Sequence, residues 1–238
     1  MLTNKVILVV GGAAGIGRAT AELCAARGAA VIVADRDVAA GAAVAAAIGG
    51  LFVAVDVTDA ASVQALMAAI AAKHGRLDAL IQAAGILKGA YTPVDEFPLE
   101  TWEMVLDVNV TGSFLCAKHA VPLMRQAGGV IVLISSGAAV GGSSSVAYGA
   151  SKGGVNGLGI TLANKLAPEG IRVNVVMPGN IDTGMKRSVI AAEAEKSGKA
   201  LEDAVAASRL GAPEGVAKIL AWLVSDDADY VRGMISTR

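Results

Sequence analysis

Lys5-Val-Ile-Leu-Val-Val10-Gly11-Gly-Ala-Ala-Gly15-Ile-Gly17 is the stretch that decides how this chain is read. Lys5–Val10 is a continuous aliphatic run, which suits a strand buried on both faces. Glycines follow at once, and the segment through Arg27 then reads as a helix. Strand, glycine turn and helix in that order let a backbone approach a diphosphate at a helix N-terminus. The spacing is Gly11-x-x-x-Gly15-x-Gly17, not the commoner Gly-x-Gly-x-x-Gly. A second aliphatic run, Ala30–Ala34, ends at Asp35, which lies 18 residues beyond Gly17. An acid there suits a ribose 2′-hydroxyl. A tight turn with a surface aspartate would have the same letters. The strand before the turn and the helix after it favour the dinucleotide.

Outward from this unit, apolar runs keep alternating with helical patterns. Val38–Ile48 reads as a helix, Leu51–Val55 as a strand and Ala60–His74 as a helix. Ala79–Ile81 reads as a short strand, and Leu99–Gln126 as one long helix whose end Pro122 bends. Gly129–Ile134 and Ile171–Met177 read as strands, with a helix over Val146–Leu166 between them. Pro213–Ser225 reads as a last helix with proline near its start. Gly137–Ser145 reads as a loop, and the alanine-rich, charged segment 184–207 as a cover over a site. Strands apolar on both faces and alternating with helices predict an α/β fold with a parallel sheet covered on both sides. No linker or repeat divides residues 1–238, so one domain is expected.

Composition narrows the function. The chain has 238 residues, 54% hydrophobic and 17% charged, with a net charge of −1. Lys and Arg are scattered, which argues against nucleic acid. The uncharged run Val38–Val55 approaches the length of a membrane span, but Gly49-Gly50 splits it into helix and strand. No membrane partner is expected, and the N-terminus does not read as a signal peptide. Cys24 and Cys116 sit in apolar helical stretches and read as reduced buried thiols. His74 and His119 lie far apart with no ligand pattern nearby, so no metal is expected. A soluble, cytoplasmic protein is the expectation.

Tyr148-Gly-Ala-Ser-Lys152, with Ser136 twelve residues upstream, carries the chemistry. Tyrosine and lysine four apart share a helix face. At about 4 Å and an effective dielectric of about 20, an ammonium stabilises a phenolate by roughly 4 kcal/mol. That is about three pKa units, enough to bring a phenol from about 10 toward 7. Such a tyrosine can exchange a proton at neutral pH, and a serine hydroxyl can hold the reacting oxygen beside it. Without the rest of the chain, the same pair would read as an amphipathic helix surface.

Taken together, these residues resemble the short-chain dehydrogenase/reductase family along nearly the whole chain. Gly11-x-x-x-Gly15-Ile16-Gly17 looks like the family's cofactor turn, and Asp56-Val57 like its adenine-contacting pair. Ala83-Ala84-Gly85 falls where the family has Asn-Ala-Gly, and Asn109 matches the asparagine of the long fourth helix. Ser136, Tyr148 and Lys152 match the catalytic serine, tyrosine and lysine, although the spacing of twelve makes Ser135 a rival for the serine. Asn174-x-x-x-Pro178-Gly179-x-Ile181-x-Thr183 matches the segment that holds the nicotinamide end, and Pro213-Glu214-x-Val216-Ala217 the start of the last helix. Val10 and Gln82 depart from the family's threonine and asparagine. Gly233–Arg238 stands where members continue into an Asp-Gly-Gly tail, which bears on subunit contacts and on one wall of the substrate pocket.

The resemblance implies a Rossmann-type, doubly wound, mostly parallel sheet of about seven strands. It implies reversible oxidation of a secondary alcohol to a ketone with NAD. Tyr148 would be the acid/base, and Lys152 would hold the nicotinamide ribose. Ser136 would bind the reacting oxygen, and Asn109 would anchor a water relay. A homo-oligomer, tetramer or dimer, is also implied. Asp35 should select NAD, since a 2′-phosphate about 5 Å away would be repelled by roughly 6 kcal/mol before screening. Arg36, next to it, is the residue that would let NADP in. An NADPH-dependent carbonyl reductase, such as a 3-oxoacyl carrier reductase, is the second reading, and a non-catalytic NAD-binding scaffold the third.

Overall fold

A computed structural model describes residues 1–237. Seven strands form one sheet in the order β3-β2-β1-β4-β5-β6-β7. They are β1 (Val6–Val10), β2 (Ala30–Asp35), β3 (Leu51–Ala54), β4 (Ala79–Gln82), β5 (Gly129–Ile134), β6 (Ile171–Met177) and β7 (Gly233–Ser236). Every pairing is parallel, so the expectation of a mostly parallel sheet sharpens to an all-parallel one. The order reverses between β1 and β4, which opens a crevice at the carboxyl ends of those strands.

The helices are α1 (Gly15–Ala26), α2 (Val38–Ala47), α3 (Ala60–His74), α4 (Leu99–Leu106), α5 (Gly112–Met124), α6 (Ala138–Gly141), α7 (Val146–Leu166), α8 (Gly184–Ser197), α9 (Leu201–Ala207) and α10 (Pro213–Leu223). One face of the sheet packs on α3, α5 and α7 through Leu66, Ile70, Cys116, Met124 and Val155. The other packs on α1, α2 and α10 through Ala21, Cys24, Val44 and Leu220. Cys24 and Cys116 are therefore on opposite faces, free and buried, with burial pushing both thiols up to about 12. No helix among the described residues is long and apolar enough to cross a membrane.

Short polar side chains set where four of the helices begin. Asp37 accepts from the Ala40 amide to start α2, Asp59 from Ala61 to start α3, and Ser145 from Tyr148 to start α7. The helix after the glycine turn begins without one, because Ala14 offers no side-chain cap to α1.

Three segments differ from their sequence reading. The long helix expected over Leu99–Gln126 is broken at Asp107–Thr111 by one wide turn with π-type hydrogen bonding. No proline or glycine marks that turn; tertiary contacts of Asn109, described below, fix it. Gly137–Ser145 is not wholly loop, since α6 closes one turn inside it. β7 is the strand that the apolar runs did not locate. It is an edge strand with half-buried and exposed residues alternating, so it lacks the buried aliphatic signature. Asn174, fully buried in β6, donates from Nδ2 to the Gly233 carbonyl at 3.5 Å and ties the edge strand in place.

Candidate active site

A cleft of about 800 Å³ lies at the carboxyl ends of the strands. Its nucleotide end is built from backbone held very close. Gly11 has φ +78°, and a Cβ there would stand 2.4 Å from the Ala84 nitrogen. A Cβ on Gly17 would stand 2.0 Å from the Gly11 carbonyl oxygen. Gly15, at φ +54°, approaches Thr183, whose Cγ2 would lie 3.2 Å from its Cβ. Side chains at Gly11 and Gly17 would therefore fill the cradle, and the uncapped first turn of α1 faces it. These features fit a dinucleotide diphosphate.

Asp35 ends β2 beside the turn. Its Oδ2 accepts from the Ala13 amide at 2.9 Å and its Oδ1 from the Asp37 amide at 3.0 Å, so the carboxylate also pins the glycine turn. Asp56 accepts from the Thr58 amide and hydroxyl at 2.9 and 2.7 Å, which holds its carboxyl below the usual range. Arg36 adds to that lowering from nearby. All the residues expected at the cofactor line this one cleft: Gly11, Gly15, Ile16, Gly17, Asp35, Arg36, Asp56, Val57, Ala83, Ala84, Gly85, Tyr148, Lys152, Pro178, Gly179, Ile181 and Thr183.

At the other end, Ser145 starts α7 and donates its hydroxyl to the Lys88 carbonyl at 2.6 Å, which fixes the turn of helix carrying Tyr148. Ser136 lies close enough to the Tyr148 phenol to favour the phenolate. Ser135 turns the opposite way, with its buried Oγ donating to the Lys152 carbonyl at 2.9 Å. The alternation along β5 thus separates the two serines, and Ser136 faces the phenol. Lys152 is 5% exposed, and its ammonium donates to the Ile134 carbonyl at 2.7 Å and lies 5.6 Å from the Tyr148 ring centre.

The electrostatics of this pair differ from the sequence reading. Burial raises the Tyr148 phenol above its ordinary value, and the nearby Ser136 hydroxyl offsets only part of that. Burial also takes the Lys152 ammonium down to about 8, and its proton is directed at the Ile134 carbonyl.

Asn109 does not line the cleft. It sits one layer behind, 1% exposed, inside the wide turn. Its Nδ2 donates to the Ile86 carbonyl and to Ser151 Oγ, both at 2.9 Å, and its Oδ1 accepts from the Ile86 amide at 2.8 Å. A Cβ on Gly85 would meet Asn109 Oδ1 at 3.2 Å and Lys152 Nζ at 3.4 Å. Asn109 therefore fixes the strand end against which the lysine packs. Gln82 and Val10, the two departures from the family pattern, are partners in register on β4 and β1. Gln82 is 1% exposed, and both its amide atoms lack a protein partner.

The remaining wall comes from Ile86, Leu87, Ala138, Gly141–Ser144, Asn180, Met185, Lys186 and Val189. The segment 138–144 had read only as a connecting loop; its clue was its place between Ser136 and Tyr148. Tyr91, at φ +63°, stands outside the cleft and bridges its cover. Its amide donates to the Ser144 carbonyl at 2.7 Å and its phenol to Glu193 of α8 at 2.9 Å. Among the described residues, no group of three or more His, Cys, Asp or Glu side chains gathers as metal ligands do.

A family model described as enoyl-(acyl carrier protein) reductase matches residues 11–237. A cis-4-hydroxycyclohexanecarboxylate dehydrogenase of Sinomonas cyclohexanicum is 42% identical over 98% of this chain and 94% of its own. A 3-oxoacyl-[acyl-carrier-protein] reductase of Thermotoga maritima is 36% identical over 98% of this chain and 96% of its own. The crystal structure of a levodione reductase superposes with a TM-score of 0.91 at 31% identity, covering 98% of this chain and 96% of that one. The relatives interconvert hydroxyl and keto groups, the sheet is theirs, and the chain belongs to the short-chain dehydrogenase/reductase family.

Proposed function

We propose that this enzyme oxidises a secondary alcohol to a ketone with NAD, residues 1–238 acting as one catalytic domain. The observation that carries the reading is that Tyr148, Ser136 and Lys152 open onto the same cleft as the glycine turn and Asp35. The cofactor, when bound, accepts the hydride. Ser136 hydrogen-bonds the alcohol oxygen, and Tyr148 removes its proton. Lys152 orients the nicotinamide ribose hydroxyls and, once redirected from the Ile134 carbonyl, stabilises the phenolate. Asn109 positions Gly85 and the lysine without touching the reacting atoms. Because the phenol is raised, oxidation speeds up toward alkaline pH and carbonyl reduction toward neutral pH.

Asp35 supports NAD, since its carboxylate lines the cleft beside the glycine turn and would repel a 2′-phosphate brought there. Arg36, exposed beside Asp35 and near Asp56, is the weaker argument for NADP. The apolar Ile86, Leu87, Ala138, Met185 and Val189 in the cleft wall suit a cyclic alcohol of the kind named for the hydroxycyclohexanecarboxylate dehydrogenase. A scaffold without turnover would have no use for the Tyr148, Ser136 and Lys152 arrangement. We read the protein as cytoplasmic, in keeping with its free buried thiols, and as a dimer or tetramer. Exposed Phe114, Met104 and Ile160 on α4, α5 and α7 would supply the contacts.

The test is turnover on a panel of cyclic alcohols and diols, steroids, sugars and 3-hydroxyacyl thioesters, each with NAD and with NADP. NAD-dependent oxidation that is lost in Tyr148→Phe supports the reading. Reduction of 3-oxoacyl thioesters with NADPH alone would replace it.

A further inference from the structure

We propose that Lys186 receives a carboxylate on the substrate, so that the cleft takes a compact hydroxy acid in preference to a neutral alcohol. The inference rests on the dehydrogenase reading above and deepens it.

The cleft is lined by two acids, Asp35 and Asp56, with Arg36 beside them. The other charged groups that line it are both cations, Lys152 and Lys186. Lys152 is committed to the Ile134 carbonyl and the tyrosine. Lys186 is half-buried and has no acidic partner within 4 Å among the described residues. Its neighbour Arg187 shows the contrast. That guanidinium makes two bonds to Asp182, at 2.6 and 2.7 Å, and lies outside the cleft.

The position of Lys186 makes the missing partner notable. It lies in the first turn of α8, which contains no acid. A cation there gains nothing from the helix dipole, whereas an anion is drawn by both the dipole and the ammonium. Lys186 and Val189 are three apart and share a helix face, and both line the cleft. The same cleft is lined by the apolar Ile86, Leu87, Ala138 and Met185, together with the polar Ser143, Ser144 and Asn180. An ion pair formed in such a cleft is screened less than one in open water. The cofactor diphosphate is the competing anion. It has its own donors in the uncapped first turn of α1, whereas the Lys186 amide is already taken by Thr183 Oγ1 at 3.2 Å.

The experiment measures kcat/KM with saturating NAD for cis-4-hydroxycyclohexanecarboxylate and for its primary amide. Inhibition by cyclohexanecarboxylate and by cyclohexanecarboxamide is measured in parallel. We expect wild type to prefer the carboxylate by at least tenfold in both assays. Lys186→Met should collapse both ratios at least tenfold, mainly through KM and Ki, while Lys186→Arg retains most of the preference. Equal handling of acid and amide by wild type overturns the proposal. So does a Lys186→Met effect that falls on the KM for NAD, which would place the ammonium at the diphosphate. Failure of Lys186→Arg to retain the preference in a folded variant does the same. If no alcohol of the broader panel is oxidised with either cofactor, the dehydrogenase reading itself fails, and this inference with it.

Discussion

At the nucleotide end of the cleft the wall is backbone, and at the substrate end it is side chains on helices that barely touch the core. Gly11 and Gly17 are packed so closely that no side chain fits, and the strand ends beneath them are fully buried. By contrast, α8 buries only Val189, Ile190 and Ala194, and α9 buries nothing. The cover is fastened instead by single bonds, chiefly Tyr91 to Glu193, with the Lys196 ammonium 5.9 Å from the Tyr91 ring centre. The difference teaches a division of labour. A ligand common to many enzymes can be met by rigid backbone, while a variable one is met by side chains on a part that can shift without unfolding the sheet.

Several substitutions can break or sharpen that contrast. The largest effect should come from Tyr148→Phe. Removing the hydroxyl deletes the proton carrier and little volume, so kcat should fall by about 10²–10⁴. NAD affinity, measured by fluorescence titration, should stay within a few-fold. Near wild-type turnover would remove Tyr148 from the mechanism.

Lys152→Met should separate stability from activity at the junction of the two ends. In the folded protein the lysine titrates at about 8, below its ordinary 10.5. Between those values the unfolded chain binds a proton that the folded one does not, so stability rises with pH across the window. Below about 8 the full cost of burying the charge stands. The variant should thus be more stable at pH 7, by up to about 3 kcal/mol, with the gain fading between pH 8 and 10. Thermal melts at several pH values check this, and a variant less stable at pH 7 would refute it. Activity should fall sharply.

Gly17→Ala tests the rigid end directly. Its Cβ would overlap the Gly11 carbonyl oxygen, so the turn must move, at a cost of about 1–3 kcal/mol. NAD affinity should drop with it, while the substrate preference between acid and amide should persist at saturating cofactor. Asp35→Ala should shrink the NAD-over-NADP ratio of kcat/KM by about tenfold or more, because the repulsion of a 2′-phosphate goes with the carboxylate. An unchanged ratio would shift the selectivity to Arg36.

The smallest effect should come from Tyr91→Phe at the cover. It removes one hydrogen bond worth about 0.5–1.5 kcal/mol. Amide exchange should quicken in α8 and the substrate KM should rise several-fold, with NAD affinity unmoved. A change confined to NAD binding would mean that the two ends are not independent.

The sequence by itself determined the sheet of aliphatic runs, the glycine turn, Asp35 and the residues expected at the cofactor, which line the cleft. Each of these is a local signal: an apolar period, a glycine where Cβ has no room, or a polar residue at the end of a strand. Tertiary structure alone decided that β7 completes the sheet, because an edge strand needs no buried aliphatic run and is held by Asn174 from its neighbour. It decided that the fourth helix breaks at Asn109, whose bonds to Ile86 and Ser151 come from segments distant in the chain. It also decided that burial raises the Tyr148 phenol, and that Arg187 is paired while Lys186 is not. Spacing along a helix says which side chains can meet. How deeply they are buried, and which groups from elsewhere reach them first, is set only when the whole chain has folded.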